Sequence, residues 1–188
     1  MSSIYNSFLT KLARLSLCVL LLSLTACVSQ KHIDTSQNNH WGFSGKFRVK
    51  AKENTQNANI IWAQEGDNYT ITLFGPLGQG KIIIEKQNQR LTLDQDGQTT
   101  EASSPEELLS KTTGWTLPIS AMTYWLQNKP SPKTQAYITK NQAGLIRKIE
   151  QQDWVIDFVT FYDDDLPKKI NLARENIVIT LIIKAWQA

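Results

Sequence analysis

Two histidines and two cysteines are the residues of this 188-residue chain best suited to acid–base, thiol or metal chemistry. Their positions remove most of that chemistry. His32, His40, Cys18 and Cys27 all fall at the start of the chain, and nothing after His40 is a histidine or a cysteine. The usual acid–base and thiol constellations are therefore missing from the body of the protein. It also has no Gly-Lys-Ser/Thr phosphate loop, no Gly-x-Ser-x-Gly elbow and no ligand cluster at metal spacing. Asp163-Asp164-Asp165 is the most acidic spot. It lacks the alternating ligands and the glycine of a calcium loop, and reads as a solvated turn before Leu166-Pro167. The sequence predicts no enzyme, no metal and no cofactor. One reactive residue stands apart, Cys27 at the end of Leu24-Thr25-Ala26-Cys27. Lys11 and Arg14 open that region, a mostly apolar run from Leu15 to Leu24 follows, and two small residues mark a cleavage site. The run is shorter than the ~18–20 residues that span a bilayer.

Leu24-Thr25-Ala26-Cys27 resembles the lipobox of bacterial lipoproteins. That resemblance implies that the Cys27 thiol is diacylated, the chain is cut before it, and the new amino group takes a third acyl chain. The alternative is an ordinary secretory signal with an incidental cysteine. One acyl chain holds a protein marginally at a membrane, whereas two or more anchor it stably. The expected organisation is a cleaved signal over 1–26, a lipidated cysteine with a flexible tether over 27–40, and one domain over 41–188. The tether is polar and aperiodic, so its histidines read as solvated rather than as ligands. The whole chain carries a net charge of +3, and the signal takes Lys11 and Arg14 with it. A remainder so near neutral has no nucleic-acid footprint. With Cys18 removed and Cys27 lipidated, no disulfide is available, and the fold rests on packing.

The elements of that domain follow from periodicity. Phe43, Gly45, Phe47, Val49 and Ala51 alternate with Ser44, Lys46, Arg48, Lys50 and Lys52, an apolar face against a basic one. Ile60 and Trp62, then Tyr69, Ile71 and Leu73, then Ile82 to Ile84, then Leu91 and Leu93 continue as short strands. Glu65-Gly66-Asp67, Asn88 and Asp96-Gly97 mark the reversals. Such spacing predicts an antiparallel meander. Ser104-Pro105-Glu106-Glu107 reads as a capping box with proline at the first helical position, predicting a helix that stops near Gly114. A second short helix is expected from about Ser120, with Met122, Trp125 and Leu126 on one face, ending before Pro130. Strands resume at 136–139, 145–149, 154–162, 169–174 and 177–186. Because Ile177 to Ile183 is apolar on both faces, the last strand is expected to be covered on both sides. The whole predicts one curved antiparallel sheet with helices across its concave side.

Two features remain for function. Six tryptophans, Trp41, Trp62, Trp115, Trp125, Trp154 and Trp186, stand beside Phe43, Phe47, Phe74, Phe158 and Phe161. They suit either an aromatic core or the lining of a cavity between sheet and helices. The second feature is Phe74-Gly75-Pro76-Leu77-Gly78-Gln79-Gly80. Its proline and glycines make a tight loop with Leu77 at the tip. That leucine either folds back on the sheet or projects to meet a membrane or an acyl chain.

These residues together resemble the LolB family of outer-membrane lipoproteins. The resemblance rests on the lipobox, Trp62-Ala63-Gln64 before Gly66-Asp67 and Tyr69, Pro76-Leu77-Gly78, and Glu106-Glu107-Leu108-Leu109 before Gly114. Leu117-Pro118-Ile119, Trp125-Leu126, Trp154 and a last strand ending at Trp186 complete it. Gln127-Asn128 replaces the family's usual glycine. The resemblance implies a mainly β fold, an open antiparallel half-barrel of about eleven strands with a lid of short helices on the concave side. It implies a monomer that accepts lipoproteins from the periplasmic carrier LolA and inserts them into the outer membrane. It implies anchoring there, on the periplasmic face, through Cys27, with LolA, the acyl chains of cargo lipoproteins and outer-membrane phospholipid as interaction partners. Pro76, Leu77 and Gly78 map to the membrane-insertion loop. Trp62, Tyr69, Ile71, Leu73, Met122, Trp125, Trp154, Ile156 and Phe158 are the candidate lining of the acyl-chain cavity. The basic face of Lys46, Arg48, Lys50 and Lys52 is either a docking site for an acidic carrier rim or a plain solvated face. The rival reading is a lipid-anchored adaptor subunit of an outer-membrane assembly machine, without a lipid cavity.

Overall fold

The computed structural model describes residues 40–187 apart from residues 53, 115 and 133. The signal segment, Cys27 and Trp115 lie outside the described residues. Within them the chain forms β1 (His40–Ala51), β2 (Asn54–Glu65), β3 (Asn68–Phe74), β4 (Ile82–Gln87), β5 (Arg90–Gln95) and β6 (Gln98–Glu101). Two helices follow, α1 (Pro105–Thr113) and α2 (Ile119–Trp125). Then come β7 (Tyr137–Lys140), β8 (Ile146–Gln151), β9 (Trp154–Phe161), β10 (Pro167–Arg174) and β11 (Ile177–Gln187).

All eleven strands join one antiparallel sheet in the order β6-β5-β4-β3-β2-β1-β11-β10-β9-β8-β7. Two meanders are thus joined where the last strand pairs with the first. β6 and β7, consecutive strands in the chain, end up as the two edges of the sheet. The sheet is an unclosed barrel, and the segment that joins its edges carries both helices.

Alternation sorts the side chains. Phe43, Trp62, Ile71, Ile84 and Leu93 are register partners in turn across β1 to β5. Val49, Ile179, Leu172, Ile156 and Ile149 form the matching row across β1, β11, β10, β9 and β8. Both rows are buried in one core, which Leu108, Leu109, Leu117, Ile119, Met122, Trp125 and Leu126 from the helical segment cover. Curvature has a local cause at Gly45. The β1–β11 register shifts between Ser44 and Gly45, and a Cβ at Gly45 would collide with the Ile182 carbonyl oxygen.

The helices begin and end as their residues dictate. Ser104 Oγ accepts a hydrogen bond from Glu107 N–H at 3.1 Å, and Gly114 closes α1 in the left-handed region at φ 75°. The return half of the capping box is replaced. Glu107 accepts instead from Ser103 Oγ and Lys111 Nζ, at 2.9 and 2.7 Å.

Three expectations need correction. β11 is not covered on both sides, since Val178 and Ile182 are 40% and 41% exposed on the outer face. The inward residues of β11 alone sufficed for the core, so the outer apolar set carries no burial information. β2 begins at Asn54, well before its first apolar residues Ile60 and Trp62, because β1 extends the ladder past the apolar part. β6 has no signature in the sequence: Gln98-Thr99-Thr100-Glu101 is exposed at every position and offers no alternation.

Candidate functional site

The loop between β3 and β4 is built by its own backbone. Gly78 N–H donates to Gly75 O at 2.9 Å, a β-turn with Pro76 and Leu77 at its centre, and Gly75 N–H donates to Gln79 O at 2.8 Å. Gln79 Oε1 accepts from Leu77 N–H at 3.0 Å, and Asn59 Nδ2 ties the base to Gly75 O at 3.3 Å. Gly78 lies at φ 85°, where a side chain would be strained. The outcome is a loop held by its own bonds with Leu77 at its tip, 93% exposed. Of the two sequence alternatives, the projecting leucine is the one observed. Beneath the loop, Leu73, Phe47, Phe74 and Ile82 line a cavity of about 210 Å³.

The aromatic residues gather on the concave face. Trp41, Phe43, Trp62, Tyr69 and Trp186 form one cluster, with Trp62 centred 5.7 Å from Trp41, 6.2 Å from Phe43 and 6.0 Å from Tyr69. Trp186 lies 5.5 Å from Phe43. The indole N–H groups of Trp62, Trp125 and Trp186 donate to Gln64 Oε1, Gln151 Oε1 and Pro167 O at 2.9, 2.8 and 2.8 Å. Gln151 is buried, and its amide also serves Ser131 N, Ser131 O and Thr134 O, pinning the segment after α2 to β8.

A larger cavity of about 850 Å³ opens between the sheet and the helices. That is within the ~300–1,000 Å³ typical of small-molecule sites. One wall is a row of register partners, Trp41, Gln64, Tyr69, Lys86 and Leu91, running across β1 to β5. Trp154 and Arg174 come from the other half of the sheet, with the Arg174 guanidinium 4.9 Å from the centre of the Trp154 ring. Pro105, Glu106, Ala121 and Tyr124 supply the helical side. Glu106 Oε1 accepts from Ser120 N–H at 2.9 Å, which links α1 to α2. Burial pushes the Tyr69 hydroxyl well above the ordinary tyrosine range, and the nearby Glu106 carboxylate adds to the effect.

The nine candidate lining residues are brought together but do not share one role. Trp62, Ile71, Met122, Trp125, Ile156 and Phe158 are packed in the closed core. Tyr69 and Trp154 are buried and border the larger cavity, while Leu73 is half-buried and borders the smaller one. The larger cavity has many polar groups in its lining, Gln64, Lys86, Glu106 and Arg174 among them, which apolar patterning could not reveal. Gln64 had a readable signal, as a polar residue in phase with Ile60 and Trp62. Lys46, Arg48 and Lys50 are exposed on the outer face, with Arg48 bonded to Asn57, while Lys52 is exposed in the turn after β1. Among the described residues no group of three or more His, Cys, Asp or Glu side chains is placed to hold a metal ion.

Residues 39–186 match the sequence profile of the family described as outer membrane lipoprotein LolB. The outer-membrane lipoprotein LolB of Cellvibrio japonicus is 35% identical over 156 aligned residues, covering 78% of this chain and 77% of its own. That of Pseudomonas paraeruginosa is 30% identical over 188 residues, covering 94% and 92%. A crystal structure of a DUF1329 family protein from Desulfovibrio piger shares the fold with a TM-score of 0.52 at 7% identity, covering 81% of this chain and 86% of that one.

Proposed function

The chain belongs to the LolB family of outer-membrane lipoproteins, and from that premise we propose that it takes lipoproteins from the periplasmic carrier LolA and inserts them into the outer membrane. It works there as a lipid-anchored protein on the periplasmic face, held through Cys27. The observation that carries the reading is the pairing of Leu77, exposed on a self-braced loop, with an aromatic and aliphatic interior under two helices. A triacylated cysteine carries dozens of methylenes, each worth ~0.8 kcal/mol on leaving water. Release into solvent is therefore prohibitive, and cargo passes directly from carrier to receiver. In this reading the acyl chains enter between the helices and the concave face, against Trp62, Ile71, Met122, Trp125, Ile156 and Phe158. Leu77, flanked by Pro76 and Gly78, then engages the bilayer as the chains leave.

The packed state of those core residues favours the rival adaptor reading, which needs no cavity. One experiment separates the two. Full chain in liposomes is mixed with carrier loaded with a lipidated lipoprotein, and the vesicles are floated. Cargo that floats with vesicles bearing this chain, and not with empty vesicles, is the expected result. Cargo left on the carrier, with the chain folded, overturns the reading in favour of the adaptor.

A further inference from the structure

We infer that Trp41 and Tyr69 form a polar subsite in the larger cavity that binds a carbonyl oxygen of an acyl ester or amide. The inference rests on the proposed lipid-accepting role and names which part of the ligand is recognised besides its chains.

Two side-chain polar atoms are buried without a hydrogen-bond partner among the described residues, Trp41 Nε1 and the Tyr69 hydroxyl. Tyr69 as a whole is only 5% exposed. An unmade hydrogen bond on a buried donor is costly enough that native structures keep few of them. The contrast within one cluster sharpens the point. Trp62 and Trp186, whose rings touch Trp41, both give their N–H to protein oxygens. The two exceptions border the same cavity and stand in the same register row, separated by Gln64 alone. Neighbouring strands lie ~4.8 Å apart, so their backbones are about 10 Å from each other on one inward face.

The chemistry of these atoms selects the ligand. An indole N–H can only donate, so its partner is an acceptor. Lys86 and Arg174 border the cavity too, but it is Glu106 that acts on Tyr69 and disfavours negative charge there, so the hydroxyl stays protonated and able to donate. Trp41, Tyr69, Leu91 and Trp154 give the lining an apolar part beside its polar groups, against which a hydrocarbon chain can lie. A neutral carbonyl attached to a hydrocarbon chain meets all three conditions. The ester and amide links of a lipidated cysteine have this chemistry, and so do the esters of a diacyl phospholipid.

The test uses the full chain in nanodiscs of ether-linked phospholipid, which contain no ester carbonyl. Binding of a dipalmitoyl-glyceryl-cysteine peptide is compared with that of its diether analogue, of equal chain length. The same comparison is made with soluble short-chain diacyl and dialkyl phosphatidylcholine. The native chain is expected to prefer the diester peptide about tenfold, and W41F and Y69F to lose part of that preference each. A ¹³C-labelled ester carbonyl should shift to lower infrared frequency on binding, and the shift should vanish in the double variant. Preference confined to the peptide assigns the subsite to the lipidated cysteine, and preference in both series assigns it to acyl esters at large. Equal affinity of the native chain for diester and diether, with no infrared shift, overturns the subsite while leaving the lipid-accepting role standing. Binding of neither ligand overturns both.

Discussion

Replacing Leu77 should separate the membrane step from everything that precedes it. The side chain is 93% exposed, and the bonds that hold its loop run through Leu77 N–H, Gly75, Gly78 and Gln79 rather than through the leucine side chain. Leu77→Ala and Leu77→Glu should therefore change folding stability by no more than about 0.5 kcal/mol, as for surface sites generally. In a chain of this size that moves Tm by roughly 1–2 °C. The membrane step is different. Burying a leucine side chain is worth about 1.5–3 kcal/mol, so losing it should slow insertion roughly ten- to a hundredfold. A glutamate adds the desolvation of a carboxylate at the bilayer surface, and Leu77→Glu should fall below Leu77→Ala. Two readouts are needed on the same samples. Cross-linking would follow cargo from carrier to this protein, and vesicle flotation would follow cargo into the bilayer. Transfer should remain near native while insertion drops. Loss of transfer itself, insertion at the native rate, or a fall in Tm of many degrees would each refute the assigned role of the tip.

Gln151→Ala should cost about 2–6 kcal/mol, because it strands the Trp125 indole N–H and Ser131 N–H in a buried setting at ~1–3 kcal/mol each. Chemical denaturation would measure that loss, and hydrogen exchange should rise first around residues 131–134. Gly45→Ala should destabilise by about 1–3 kcal/mol through collision with the Ile182 carbonyl, read as a fall in Tm of several degrees. Gly66→Ala, where nothing lies near the added Cβ, isolates the effect of φ alone. Tyr69 should stay un-ionised at a pH that ionises an ordinary tyrosine, because its folded value is raised. The unfolded chain loses that proton near pH ~10 while the fold keeps it, so this contribution to stability is intact below about pH 10 and declines above it. Denaturation midpoints from pH 8 to 11 should therefore fall less steeply for Tyr69→Phe than for the native chain.

What was legible in the chain is what alternation and turn chemistry encode. The inward phase of Phe43, Phe47 and Val49, the turns at Asn88 and Asp96-Gly97, and the Ser104 cap each state their own structure locally. Asn88 and Asp96 do adopt the left-handed backbone their turns require. The edge strand β6 was not legible, because Gln98 to Glu101 carries no contrast between faces. Nor was the exposure of Val178 and Ile182, since two apolar phases in one strand do not say which phase meets the core. The cavity wall was hidden for a third reason. Trp41, Gln64, Tyr69, Lys86 and Leu91 are remote in sequence and mixed in polarity, and only the register of successive hairpins puts them in one row.

The sheet order also bears on how a packed interior could serve as a receiver. The helices sit on the segment joining β6 to β7, the two free edges, so moving them breaks no strand pairing. What holds them includes the burial of Leu108, Leu117, Ile119, Met122, Trp125 and Leu126, at about 1.5–3 kcal/mol per side chain. That attraction is non-directional, and an acyl chain entering at ~0.8 kcal/mol per methylene can replace it contact for contact. Those six side chains sum to about 9–18 kcal/mol, which the dozens of methylenes of a lipidated cysteine exceed at ~0.8 kcal/mol each. In the proposed function the filled interior is therefore a receiver with its own side chains standing where cargo will stand. The Gln151 amide, which ties Trp125 and the Ser131–Thr134 segment to β8, is the directional contact that such an exchange must keep or remake. If acyl chains displace Trp125, its fluorescence and the exchange of the Ser131 amide should change together on loading, and Gln151→Ala should uncouple them. Loading that alters neither would place the acyl chains elsewhere on the protein.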